Sequence, residues 1–155
     1  MDKLLETLDK SISNGLPIFQ FLERDDLNDL YNYLTIVNVY GGETICQEGN
    51  ICDYLAFIAS GKVEIRKNTE FEGKEVVVGI LGSGSMVGEM WVLGNHPGPV
   101  TAVAKEDSTL VMLSRRDFNI IVNQFPKTGV KLLKGMLLTS TLRLKNAYDR
   151  LVSLF

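Results

Sequence analysis

The chain has 155 residues, of which 45% are hydrophobic and 23% are charged, and its formal net charge is −3. This length suits one domain with a single core, and the composition is ordinary for a soluble globular protein. The slightly acidic balance argues against a protein that coats nucleic acid, and no apolar run approaches the roughly 20 residues that cross a bilayer.

Short helices are predicted for residues 1–33. Apolar residues recur at helical spacing near the start of the chain, which predicts a first amphipathic helix, at Leu4, Leu5, Leu8 and Ile12. A second short helix is predicted over about Arg24–Tyr33. The first 15 residues lack the long apolar centre of a secretory signal peptide.

Residues 34–113 change character to short strand-like runs separated by Gly, Asn and Asp. Lys62–Lys67 alternates polar and apolar side chains, as a half-buried strand does. Glu75–Leu81 is a continuous β-branched run, which predicts a strand covered on both faces. Val100–Ala104 and Thr109–Leu113 predict two more strands. Strands this short with turns this regular predict a roll or a barrel.

Helices are predicted again for residues 114–155. Ser114 begins a sequence similar to a capping box. Pro126 ends the first of these helices and can open the next, which is predicted from about Lys127 to Leu154. The whole chain, residues 1–155, therefore predicts one mainly β domain with flanking helices.

Four short motifs occur in an order that resembles cyclic-nucleotide-binding domains, the sensor fold of catabolite-activator-type regulators, cAMP-dependent kinase regulatory subunits and nucleotide-gated channels. This resemblance implies a β-roll (a jelly roll or double-stranded β-helix) with N-terminal helices, a short cassette helix at the phosphate site and a long C-terminal helix. A cupin-like roll is the alternative, but its metal chemistry needs several histidines and this chain has one. The motifs are Gly42-Glu43-Thr44-Ile45 with Glu48-Gly49-Asn50, Ser60-Gly61-Lys62-Val63, Leu81-Gly82-Ser83-Gly84, and Gly88-Glu89.

The cassette departs from the family pattern at the residues that hold the phosphate. That pattern is Gly-Glu, several apolar residues, then Pro-Arg-small-small-Thr, and Gly98 stands at the arginine position. Trp91 replaces a usual alanine, and Pro99 removes one backbone donor. We therefore expect a degenerate pocket, with a cyclic nucleotide disfavoured as its ligand and no other cofactor indicated. The expected pocket comprises Gly88, Glu89, Met90, Trp91, Gly98, Pro99, Val100 and Thr101.

Glu89 has two interpretations. In the family this glutamate accepts a bond from the ribose hydroxyl, so it could here serve a different ligand that carries a donor. The preferred interpretation is structural, with Glu89 bonded to backbone N–H groups or to a nearby Lys or Arg. The candidate replacement cations that sequence cannot place are Lys62, Arg66, Lys74, Lys105 and His96.

Other chemistry has weak support in the sequence. Cys46 and Cys52 flank a turn and could form a redox pair, although two ordinary thiols in a reducing cytoplasm are preferred. His96 is expected to be a solvated loop residue, and no metal-ligand spacing is present. One histidine cannot complete a convincing catalytic set, so we expect no enzyme.

The last helix carries an a/d seam over about three heptads, at Leu133, Leu137, Ser140, Leu144, Ala147, Leu151 and Leu154. In catabolite-activator-like proteins this helix forms a parallel dimer, and we expect a homodimer here. The alternative is that the seam packs on the chain's own β-roll. Gly135 marks either a hinge or a close contact. The basic residues of the helix are expected to face solvent, at Lys131, Lys134, Arg143, Lys145 and Arg150.

These observations lead to three hypotheses for the function. The first is a non-enzymatic regulatory module with a degenerate pocket, which signals by dimer geometry or by binding a partner protein or an output domain. The second is a sensor of cAMP or another small ligand. The third is a thiol or metal redox sensor. No segment resembles a DNA-recognition helix, so no direct DNA binding is expected of this chain, and no membrane partner.

Overall fold

The computed structural model describes residues 2–94 and 96–155, and its centre is a roll of two antiparallel sheets. One sheet has the order β1-β8-β3-β6 and the other has the order β2-β7-β4-β5. Within the described ranges the eight strands are β1 Leu34–Val39, β2 Thr44–Cys46, β3 Tyr54–Ser60, β4 Val63–Asn68, β5 Glu75–Leu81, β6 Met86–Val87, β7 Thr101–Ala104 and β8 Ser108–Ser114. The predicted β-roll with flanking helices is confirmed.

Five α-helices flank the roll in the described part of the chain, namely α1 Lys3–Ser13, α2 Leu27–Leu30, α3 Glu89–Leu93, α4 Arg115–Gln124 and α5 Pro126–Val152. The Ser114 side chain caps α4 by accepting from Asp117 N–H at 3.0 Å. The single helix predicted over Arg24–Tyr33 was wrong in detail, because that segment is one α-helical turn between two 3₁₀ turns.

The core has two parts that meet across the first sheet. One part packs the N-terminal helices, α4 and the first half of α5 against that sheet, around residues such as Phe19, Phe57 and Leu132. The other fills the interior of the roll between the sheets and includes Ile58 and Trp91. The cassette helix α3 therefore borders both the roll interior and the outer helices.

The expectation that β5 is covered on both faces was wrong. This strand is the edge of its sheet and pairs only with β4. Its side chains are largely exposed, including 52% of Val77 and 49% of Ile80. A β-branched run is typical of a buried strand, but it also suits an edge strand that lies under another element or subunit.

Candidate functional site

The cassette motif Gly88-Glu89 lies at the start of α3, where the chain turns at Gly88. Gly88 has a φ of 91°, in the left-handed region that favours glycine. A Cβ atom added there would overlap the Tyr54 carbonyl oxygen and lie 2.7 Å from Cε3 of Trp91. Glycine is therefore required at this position by both its backbone conformation and its neighbours.

The Trp91 indole occupies the space beside Gly98. Trp91 is 3% exposed and belongs to the roll interior. A Cβ atom added at Gly98 would lie 2.9 Å from Cε2 and 3.0 Å from Nε1 of this indole. Gly98 does not have a positive φ, so its backbone would accept other residues. What excludes a side chain at Gly98 is the tryptophan ring.

Gly98 and the residues after it are bonded to the turn at residues 48–50. Gly98 makes two backbone hydrogen bonds to this turn, because its N–H donates to the Asn50 carbonyl and its carbonyl accepts from Gly49 N–H, both at 2.9 Å. The buried Thr101 hydroxyl accepts from Glu48 N–H at 2.9 Å, and Lys67 Nζ donates to the Pro99 carbonyl at 2.6 Å. Several backbone N–H and carbonyl groups that border the cassette are therefore already hydrogen-bonded within the protein.

The Glu48 carboxylate fastens the same turn to strand β4. It accepts from Lys67 Nζ at 2.8 Å and from Asn68 N–H at 2.7 Å. The hydrogen bond from Lys67 lowers the pKa of Glu48, and the Asn68 N–H adds to the effect. Glu48 is thus held as an anion by the chain's own groups.

Glu89 forms an ion pair with Arg143 of α5. Glu89 Oε1 lies 3.0 Å from Arg143 Nη1, and both side chains are roughly two-thirds buried or more. Arg143 Nη2 also donates to the Ser85 hydroxyl at 3.0 Å and to the Met86 carbonyl. None of the five candidate cations named from the sequence makes this contact, and Arg66, for example, pairs with Glu64.

The expected solvated face of α5 was wrong for two of its five basic residues, Lys131 and Arg143, which are half-buried. Arg143 joins α5 to the cassette, as described above, and Lys131 Nζ lies 2.9 Å from the Asp26 carboxylate. Arg150 is exposed, and its Nη1 donates to the Val78 carbonyl at 2.9 Å. A signal for Arg143 was present in the sequence, because it continues the steps of four and three made by the buried Leu132, Met136 and Thr139.

A cavity of about 300 Å³ lies between the roll and the second half of α5. Six of the eight pocket residues expected from the sequence line it, namely Gly88, Glu89, Met90, Trp91, Pro99 and Val100. Gly98 and Thr101 lie behind this wall, Gly98 against Trp91 and Thr101 against the 48–50 turn. Residues of strands β2, β4, β5 and β6 and the helical residues Arg143, Ala147 and Arg150 form the rest of the lining.

Cys46 lines the cavity and is buried, whereas Cys52 is half-buried, and both are free thiols. The pKa of the Cys46 thiol is raised to about 12, mainly by burial, and the nearby Cys52 and Glu89 contribute to the rise. A thiol with a raised pKa forms little of the reactive thiolate. His96 is exposed, and residues 2–94 and 96–155 contain no group of three or more His, Cys, Asp or Glu placed to hold a metal ion.

The outward face of α5 carries most of the predicted seam. Leu137, Leu144, Leu151 and Leu154 are 68%, 51%, 55% and 78% exposed. Leu133, Ser140 and Ala147 are half-buried. The face that packs on the protein's own core is a different one and includes Leu132, Gly135 and Met136. No helix in the described ranges is long and apolar enough to cross a membrane.

Comparison with known proteins gives consistent matches. The model of the cyclic nucleotide-binding domain family matches residues 36–125, more than half of the chain. The cyclic AMP receptor protein of Thermus thermophilus is 30% identical over 112 residues, which make up 72% of this chain and 51% of that protein. This chain therefore spans about half the length of that relative.

Two solved structures share the fold over most of the chain. A cyclic nucleotide-binding domain from Methylobacillus flagellatus has a TM-score of 0.83 at 24% identity and covers 95% of this chain and 85% of that one. The regulatory subunit of a cAMP-independent protein kinase A from Trypanosoma brucei has a TM-score of 0.68 at 26% identity. That match covers 84% of this chain and 46% of the subunit.

Proposed function

This chain belongs to the cyclic nucleotide-binding domain family, and on that premise we propose that it is a non-catalytic regulatory sensor module that does not bind cAMP or cGMP in the family's usual way. The observation that carries the proposal is the packing of Trp91 against Gly98, where the family's arginine would hold the phosphate. Loss of such a charged partner typically costs about 2–5 kcal/mol, or ~30-fold to several-thousand-fold in affinity.

Two further observations support a site that no longer serves a cyclic phosphate. Glu89, the expected partner of a ribose hydroxyl, is already paired with Arg143. The kinase subunit from Trypanosoma brucei, described as belonging to a cAMP-independent kinase, has the same fold at 26% identity. A regulatory domain of this fold in a cAMP-independent protein therefore has a precedent.

Calorimetric titration with cAMP and cGMP tests the pocket. We expect no binding of either nucleotide at low micromolar concentration or tighter. The double variant Trp91→Ala/Gly98→Arg should bind cAMP more tightly than the wild type, because it clears the phosphate space and supplies a cation. Gly82→Arg, in the exposed turn before the cassette, adds the same charge outside the pocket and should change nothing. Low-micromolar binding by the wild type would refute the proposal.

We propose in addition that the module is a homodimer through the outward face of α5, which signals to a partner protein or an output domain by changing the geometry of that helix. The exposed leucines of the seam support a second copy as the occupant, since heptad spacing fits a helix–helix pair. Ala147 belongs to the seam and lines the cavity, so a change in the cavity can reach the dimer contact directly.

Sedimentation velocity tests the dimer. Leu137→Glu/Leu144→Glu should convert a wild-type dimer into a folded monomer, because like charges then meet at the seam. Thr141→Glu places the same charge on an exposed position of α5 outside the seam and should leave the dimer intact. A wild type that sediments as a monomer at tens of micromolar would overturn this part of the proposal.

A further inference from the structure

The cavity between the roll and α5 has the size and walls of a small-molecule site. Its volume of about 300 Å³ lies at the lower end of the range for such sites. Strands β4, β5 and β6 contribute four aliphatic residues to the wall, namely Ile65, Val78, Leu81 and Val87. An occupant therefore needs an apolar body of modest size.

The charged groups at the cavity leave one positive charge without a counterpart. Its lining contains two guanidinium groups, from Arg143 and Arg150, and one carboxylate, from Glu89. Two positive charges against one negative charge leave a net charge of +1 on the lining. Arg150 is exposed, whereas the Arg143 side chain is roughly two-thirds buried, so Arg143 is the cation that is partly removed from water. An occupant with a single negative charge beside Arg143 therefore complements this site.

Two residues of the lining each carry a buried hydrogen-bond donor that has no acceptor among the described residues. These are Nε1 of Trp91 and Nε of Arg143. Trp91 is 3% exposed, and the Nη atoms of Arg143 are already bonded to Glu89, Ser85 and Met86. Buried polar groups in proteins are nearly always paired, so both donors point to an acceptor that the chain itself does not supply.

We propose that this cavity binds a small monocarboxylic acid with an apolar body, its carboxylate toward Arg143 and Trp91 and its body against Ile65, Val78 and Leu81. An ionised carboxylate carries one charge and only accepts hydrogen bonds, which matches both the net charge and the two donors. The inference rests on the proposed function, since it assigns to the same site a ligand class other than a cyclic nucleotide.

Trp91 is the single tryptophan of the chain, so its fluorescence reports on this cavity alone. The full chain is titrated with 3-phenylpropanoate and with octanoate, and separately with the uncharged amide of each acid, by fluorescence and by calorimetry. We expect saturable binding of at least one acid, about 10-fold or more tighter than its amide, because the amide lacks the charge.

A matched pair of variants locates the carboxylate. Arg143→Gln should weaken binding of the acid by about 10-fold or more and leave the amide nearly unchanged. Lys145→Gln removes the same charge from the solvent-exposed side of α5, where Lys145 pairs with Asp149, and should bind the acid as the wild type does. The comparison of acid with amide on the wild type stands even if Arg143→Gln fails to fold.

The outcomes separate this inference from the proposed function. Absence of saturable binding up to millimolar acid, or equal affinity for acid and amide, overturns the inference and leaves the proposed function intact. An acid that binds the two variants equally well overturns the placement of its carboxylate at Arg143. Low-micromolar binding of cAMP to the wild type, by contrast, refutes the proposed function.

Discussion

The packing of Trp91 on Gly98 predicts that these two positions are energetically coupled. Gly98 is buried and does not have a positive φ, so replacement by alanine is blocked by the indole ring and not by the backbone. At a site without such a clash, Gly→Ala stabilises a protein by about 0.4–1 kcal/mol through the unfolded chain. Against Trp91 the added methyl group instead overpacks a filled site, which typically costs about 1–3 kcal/mol.

A double-mutant cycle measures this coupling. In the wild-type background, Gly98→Ala should lower the free energy of unfolding by about 1–3 kcal/mol, a fall in Tm of about 2–4 °C per kcal/mol for a chain of this size. In a Trp91→Ala background the same substitution should be neutral or slightly stabilising. The resulting coupling energy is between about 1 and 4 kcal/mol.

Urea unfolding followed by circular dichroism is the suitable assay, because Trp91 fluorescence is absent from half of the cycle. Gly82→Ala serves as the control, since nothing lies within 4 Å of a Cβ atom added there and Gly82 also lacks a positive φ. Equal destabilisation by Gly98→Ala in both backgrounds would refute the reasoning, since the cost would then not come from the indole.

Three further predictions concern contacts away from the cassette. Burial opposes ionisation of Asp26, but the hydrogen bond from the Glu23 N–H and the contacts with Lys131 outweigh it and lower the pKa of Asp26 below 3.8. Asp26→Asn should therefore lower Tm near neutral pH, and the difference in Tm from the wild type should shrink below about pH 4. A difference in Tm that is undiminished at pH 2.5 would contradict this. Because the pKa of Cys46 is about 12, a thiol reagent at pH 8 should modify Cys52 first and Cys46 only as the protein unfolds. Mass spectrometry measures the two rates, and equal rates of modification at the two cysteines would contradict the burial of Cys46. Gly135→Ala should lower Tm although alanine favours the helix by about 1 kcal/mol, because the new Cβ atom would overlap the Ile18 carbonyl oxygen. A rise in Tm would contradict that contact.

Much of the fold could be predicted because its signals are local. Glycine-rich corners, short alternating strands and the proline at 126 mark the element boundaries within a few residues, and α5 begins at Pro126 as those signals indicate. The departures at Trp91 and Gly98 were also visible in the sequence. Their packing against each other was not, because a contact between a residue of the short helix α3 and a residue seven positions later, outside that helix, leaves no periodic pattern.

The part of the site that escaped prediction depends on contacts between distant segments. Glu89 and Arg143 are 54 residues apart in the chain, and neither position shows by itself which partner it will meet. The β5 run was misread for a related reason, since β-branched residues suit both buried strands and edge strands. Only the sheet order, with β5 at the edge beside β4, decides between the two.

The contacts of α5 divide this helix into two halves that suit a signalling role. Its first half is anchored by the Asp26–Lys131 ion pair and by the close approach of Gly135 to Ile18. Its second half is joined to the roll through polar contacts, and Arg143 makes several of them at the border of the cavity. An anion that drew Arg143 away from Glu89 would therefore release the second half while the first stayed fixed. Because the exposed seam leucines are concentrated in that second half, we expect such a release to act on the proposed dimer contact.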